Sequence, residues 1–211
     1  MFDYSLLHWT AFFTAAFLLN VSPGPDIAYI LGHAVRGGHR AGFAAMLGIW
    51  SGAFGHVLMA AFGLSAVLVA SATLFSIVKW IGAAYLVWLG IQALRSRGGH
   101  LDIEGRRKAG SLWAVYRQGA LVALLNPKVA VFFLAFLPQF VEPGAGPVWA
   151  QMFLHGVLII AVAALVEPLI VMAGARLADA LRRDARIGLW LDRVLGGVLV
   201  ALGLRLALQE R

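Results

Sequence analysis

Six predominantly apolar stretches of twenty residues or more follow one another along this chain, at roughly 6–34, 42–70, 73–94, 118–140, 150–175 and 188–208. A helix needs about 20 such residues to cross a hydrocarbon core of about 30 Å. None of the stretches alternates polar and apolar residues, and all exceed the length of a membrane β-strand, so the expected fold is all-α. Only short connections remain between them, which predicts a single transmembrane domain over 1–211 and no soluble one. Composition points the same way. Hydrophobic residues make up 61% and charged residues 13%, against about 45–50% and about 25% in soluble domains. This excludes a soluble enzyme, a disordered chain and a nucleic-acid-binding module. The chain has no Cys, which removes a disulfide framework, a thiolate metal centre and a thiol relay. The opening Met1-Phe2-Asp3-Tyr4 lacks the basic residues of a secretory leader, and no small-x-small cleavage site follows. The first apolar run is therefore expected to remain in the mature protein.

The charge distribution predicts topology. The net charge is +7, and thirteen of the seventeen Lys and Arg lie in or beside the first, third and fifth connections. Examples are Arg36 and Arg40, the run Arg106-Arg107-Lys108, and Arg182-Arg183. The connections around Ser71-Ala72 and from Val141 to Trp149 carry none. Basic residues stay on the cytoplasmic side, which places both termini outside; Arg205 and Arg211 pull weakly against an outer C-terminus. Three spans per half then put the halves in opposite orientation. The expectation is six transmembrane helices arranged as two inverted three-helix repeats, roughly 1–94 and 118–211, joined by a basic cytoplasmic loop, 95–117. The third and sixth spans share similar Gly/Leu/Val strings, and prolines interrupt the first and fourth spans about half a chain apart, at Pro23/Pro25 and Pro127.

Those prolines mark the candidate site. In Asn20-Val21-Ser22-Pro23-Gly24-Pro25-Asp26, two backbone donors are missing and Gly24 is pushed out of helical geometry. Carbonyls near the end of the first half-span lose their partners, at several kcal/mol each in hydrocarbon. Such a break survives only where protein, water or ligand satisfies it. Asn126-Pro127-Lys128 repeats the arrangement in the fourth span. The ionisable residues inside apolar stretches, Asp26, Lys128 and Glu167, sit at or near prolines, and each costs at least about 2.5 kcal/mol at mid-bilayer. Asp26 and Lys128 either pair with each other or hold opposite ends of a zwitterion. Glu167 is either a proton-exchanging carboxyl or a hydrogen-bonded structural one, and Pro168 beside it reads as an ordinary kink. Lys79 reads as a snorkelling anchor.

In the second span Ala44, Gly48, Gly52, His56 and Ala60 recur every fourth residue. This stripe invites close helix packing, within the chain or with a second copy, so a homo-oligomer through Gly48 and Gly52 is one expectation. His56 lies in the stripe and joins His155 as a candidate for a proton path, beside Asp26 and Glu167. Most Trp lie near span ends, as interfacial belts require, with Trp50 and Trp88 expected deeper.

Ser22-Pro23-Gly24-Pro25-Asp26, the run from Lys79 to Ile91, Leu125-Asn126-Pro127-Lys128, Phe132-Phe133 and Pro138-Gln139-Phe140 together resemble the LysE/RhtB family of amino-acid exporters, in order over nearly the whole chain. The resemblance implies a secondary transporter of a bacterial inner membrane that moves amino acids outward, its branch nearer the homoserine, threonine and leucine exporters. Asn20, Ser22, Pro23, Gly24, Pro25, Asp26, Asn126, Pro127 and Lys128 are then the expected substrate site, with one half rocking against the other. Asp26 would receive the ammonium, and Lys128 the carboxylate. An ion gradient is the expected driving force, since no GxxxxGK[ST] motif is present. The partners expected are the amino acid and lipid, and no cofactor or metal. Two alternatives carry less: cation or metal efflux, for which the histidines lack ligand spacing, and an intramembrane enzyme on a lipid-linked substrate, for which no nucleophile lies beside a base.

Overall fold

The computed structural model describes residues 4–22, 24–66, 72–95, 111–174, 176 and 185–208. Among these every regular element is helical. The elements are α1 (Leu6–Val21), α2 (Pro25–Leu58), which continues as a π-helical turn over Met59–Leu64, α3 (Ala72–Leu94), α4 (Leu112–Leu125) and α5 (Pro127–Val131). After α5 the chain coils on as a π turn, Phe132–Phe136, and a 3₁₀ turn, Leu137–Phe140, before α6 (Val148–Met172) and α7 (Ala185–Leu208). Ser5 caps α1 by accepting from the His8 N–H at 3.2 Å, and Ser111 does the same for α4 from Ala114. Such caps meet donors that the first turn leaves without partners.

Pro25–Leu64 and Val148–Met172 are long and apolar enough to cross a membrane. The stretches Leu112–Leu124 and Lys128–Phe140, bent by 56°, make a third crossing if they form one span, and α1 is a shorter apolar helix. The 34-residue α2 is two rods, not one. Gly38 has φ 70° and ψ −174°, a left-handed conformation open to glycine and strained for other residues. The chain therefore turns between its first and second apolar stretches on one residue.

The outer surface is apolar. Leu6, Leu125, Leu165 and Leu208 are all more than three-quarters exposed, which suits lipid and not water. Trp80, Trp88, Trp113, Trp149 and Trp190 are also outward-facing. Three interior clusters form among the described residues. One is aromatic, built from Phe12, Phe132, Phe133, Phe136 and Phe140 with Val57 and Met152. A second joins Ile30, Met46 and Ile49 to Val115 and Val171, and a small third holds Ile27, Leu31 and Ile170.

The closest packing is between α2 and α4 and between α3 and α7. An added Cβ at Gly48 would strike the Tyr116 carbonyl, and one at Gly52 the Ala120 carbonyl. The stripe of the second span is thus filled by α4 of the same chain, and Gly48 and Gly52 are not a face open to a second copy. In the other pair, Gly90 and Gly196 each face the other's carbonyl at 2.7 Å from where a Cβ would stand. The Gly48→Ala protein should lose about 1–3 kcal/mol, the usual cost of overpacking. Gly197→Ala, whose methyl would meet nothing within 4 Å, should change stability by about 0.5 kcal/mol or less. Thermal unfolding in detergent, followed by tryptophan fluorescence, measures both.

Candidate functional site

The two helix breaks meet. At the first, α1 ends with the Ser22 N–H donating to the Leu18 carbonyl, and α2 begins at Pro25, where a missing N–H is harmless. Asn20 turns its amide back on its own helix, donating to the Ala16 carbonyl at 2.8 Å and reaching across to the Ile159 carbonyl of α6 at 3.3 Å. Asp26 lies in the first turn of α2, where the helix dipole favours a carboxylate. At the second break Asn126 ends α4 and caps α5. Its Oδ1 accepts from the Lys128 N–H at 2.9 Å, and its Nδ2 donates to Asp26 Oδ1 at 2.9 Å. One amide therefore caps its own helix and clasps the carboxylate of the opposite break.

Lys128 extends toward the first break, its Nζ donating to the Ser22 carbonyl at 3.3 Å. This is one of the backbone acceptors that the prolines expose. A side chain at Gly24 would stand 3.3 Å from that Nζ, so the absence of one leaves the ammonium its space. The Asp26 carboxylate accepts from Asn126, and the Lys128 ammonium donates to a backbone carbonyl.

Around these groups is a cavity of about 50 Å³, walled by Leu19, Ile27, Ile49, Trp50, Phe133 and Ile159, with Asn20, Ser22, Gly24, Asp26, Asn126, Lys128 and Glu167 as its polar lining. Its walls come from all three apolar clusters, so the polar groups lie where they meet. The Ser22 hydroxyl is buried there without a partner among the described residues. Glu167 is 4% exposed and accepts from Trp50 Nε1 at 2.7 Å. α6 runs on through Pro168 without a break.

Seven of the residues singled out in the sequence thus share one cavity. Pro25 faces a separate groove with Tyr29, His33 and Arg36. Pro127 opens α5 by its backbone, and Pro23 lies outside the described residues. His56 and His155 are not part of the cavity lining. His56 approaches the Ala123 carbonyl at 3.2 Å, and His155 pairs with His8 at 2.9 Å. Trp50, the partner of Glu167, carried no sequence signal beyond an expected depth. His8 and Glu142 carried none.

The site is thus a buried polar cavity set between interrupted helices in an otherwise apolar bundle, which suits a membrane transport protein. Comparison with known sequences names the family. The model of the LysE type translocator family matches residues 17–210, and the chain belongs to that family: it is a transporter, not an enzyme. It is 34% identical over 184 residues to a homoserine/homoserine lactone efflux protein of Salmonella typhi, covering 87% of this chain and 83% of that one. It is 31% identical over 199 residues to an uncharacterized membrane protein of Vibrio cholerae, covering 94% and 96%. No solved structure matches it.

The Trp50–Glu167 bond gives a direct check on the site. Trp50→Phe removes the donor and leaves a buried carboxyl without it, which should destabilise by about 1–3 kcal/mol. Glu167→Gln keeps an acceptor for the indole and should lose less. Denaturant unfolding of the two purified variants compares them.

Proposed function

We propose that this protein exports small neutral amino acids, of the homoserine and threonine kind, across a bacterial inner membrane, driven by an ion gradient. The observation that carries the proposal is the clasp between Asn126 and Asp26 beside the Lys128 ammonium, in one cavity at two helix breaks. A free amino acid carries an ammonium and a carboxylate about two bonds apart, and the cavity offers a carboxylate and an ammonium close together with exposed backbone groups around them. Asp26 receives the substrate ammonium. Lys128 and the Asn126 amide hold its carboxylate, and the Ser22 hydroxyl is a further partner. The remaining walls, Leu19, Ile27, Ile49, Phe133 and Ile159, are apolar, which suits a short uncharged side chain.

The name of the Salmonella relative supports the substrate class, and the family supports transport. The packing supports six spans in two inverted repeats. α3 lies on α7, the two breaks lie on each other, and the contact of α2 with α4 has its counterpart in the contacts of α6 with α1 and α2. Reciprocal pairs of this kind follow from a two-fold relation between 1–94 and 118–211. The basic connections support an outward placing of both termini. A cavity of about 50 Å³ holds only about three to five waters, so substrate loading requires the helices around it to part. Asp26 and Glu167 are the carboxyls placed to exchange a proton for substrate.

Everted vesicles supplied with a panel of labelled amino acids test the reading. Uptake of homoserine or threonine should need the protein and should collapse when the driving gradient is dissipated. Asp26→Asn and Lys128→Met should each lower the rate by about tenfold or more, equivalent to about 1.4 kcal/mol of lost interaction. Normal rates in both variants would remove this site assignment.

A further inference from the structure

A second polar cluster lies apart from the cavity, at the end of the bundle that carries the 141–147 connection. His8 of α1 and His155 of α6 face each other through their Nε2 atoms at 2.9 Å. The other nitrogen of His155, Nδ1, is 2.8 Å from the Gln151 carbonyl, and the other nitrogen of His8, Nδ1, is 3.5 Å from Glu142 Oε1. A carbonyl only accepts, so His155 Nδ1 carries a hydrogen. One hydrogen must lie between the two Nε2 atoms. Two neutral imidazoles supply both of these hydrogens and leave the His8 Nδ1 lone pair toward the Glu142 carboxylate; a third hydrogen, on His8 Nδ1, turns that approach into an ion pair. The row therefore has a place for one extra proton.

We propose that Glu142, His8 and His155 form a one-proton site that latches this end of the bundle shut, and that this end faces the outer solution. His8 and His155 are buried, whereas the Glu142 side chain is 53% exposed, so a proton enters from solvent through Glu142. The proton ties three elements together: α1 through His8, α6 through His155, and the connection through Glu142. Gln151 secures the same connection by accepting from the Glu142 N–H and donating to the Glu142 and Gly146 carbonyls.

Beneath the row Phe140 packs on His8 and Phe12 on His155, with Phe136 against both phenylalanines, and all three are 2% exposed or less. When the proton leaves, the His8 lone pair faces an anion, the tie to Glu142 becomes repulsive, and this aromatic cluster loses its clamp. The titratable groups placed against His8 among the described residues are Tyr4, His155 and Glu142. The Tyr4 ring stacks on His8 at 4.3 Å and its hydroxyl donates to Gln151 at 3.0 Å. Burial, and then the charge of Glu142, push that hydroxyl above the ordinary tyrosine value, so it stays a donor to Gln151. The role of the latch rests on the exporter reading: release of substrate outward, followed by uptake of an outer proton, would close this end.

The chain has no native Cys, so single cysteines report cleanly. Ala145, buried in the connection, is replaced by Cys, with exposed Pro143→Cys as the reference that cancels the pH dependence of the thiol. An impermeant thiosulfonate is applied to intact cells. The Ala145→Cys to Pro143→Cys rate ratio should rise about tenfold as the outer pH goes from about 6 to about 8.5, through the range where histidine titrates. Glu142→Gln should hold the ratio low at every pH, because an amide accepts from a charged His8 and donates to a neutral one. His8→Ala should hold it high at every pH. A purely structural role would move the level and keep the slope.

A flat ratio in the parent protein, or an unchanged slope in Glu142→Gln, overturns the proton site. Labelling only in everted vesicles overturns its outer placement. No substrate is needed, so a pH-dependent ratio without amino-acid efflux would count against the exporter reading alone.

Discussion

The hydrogen bond from Asn126 to Asp26 is the interaction on which the rest of the architecture turns. Each helix break leaves backbone groups that hydrocarbon cannot satisfy. Neither break is self-sufficient: the first supplies bare carbonyls and a carboxylate, the second an amide and an ammonium. Brought together they meet most of each other's needs, and what is left over, such as the Ser22 hydroxyl, lines a space large enough for a few waters. Polar groups that would be a liability in one helix thus become a site when two helices share them.

The apolar scaffold around this joint is built by close approach of backbones. In lipid, burying more hydrocarbon between helices gains little, so association depends on packing and on small residues that admit it. Gly48 and Gly52 bring α2 onto the backbone of α4, and Gly90 and Gly196 bring α3 onto α7. Bulkier aromatic residues are kept for the α1–α6 side, where Phe12, Phe136 and Phe140 fill a wider gap.

Much of this was legible in the residues themselves. Proline beside Asn, Asp and Lys inside an apolar run has few explanations, and Asn20, Ser22, Gly24, Asp26, Asn126, Lys128 and Glu167 do line one cavity. The all-helical membrane character and the family followed from patterns of similar strength. Partnerships across the chain were not legible, because they depend on packing angles that periodicity does not encode. Asn126 was among the residues read for the site, but its bond to Asp26, 100 residues away, was not. Glu167 finds the Trp50 indole 117 residues away, and His155 finds His8 147 residues away. The Gly48/Gly52 stripe was read as a packing face, within the chain or with a second copy, and a helix of the same chain fills it. At Gly38 a single left-handed residue makes the turn between the first two apolar stretches.

The glycine contacts between α2 and α4 carry a mechanical consequence. They join the first half of the sequence to the second at backbone distance, so neither half can pivot as a separate body without shearing that seam. α6 is tied to the same seam, since a Cβ added at Gly156 would strike Val57 of α2, whereas its face toward α1 is made by side chains such as His155 against His8 and Phe12. Gly38 is where α2 itself turns.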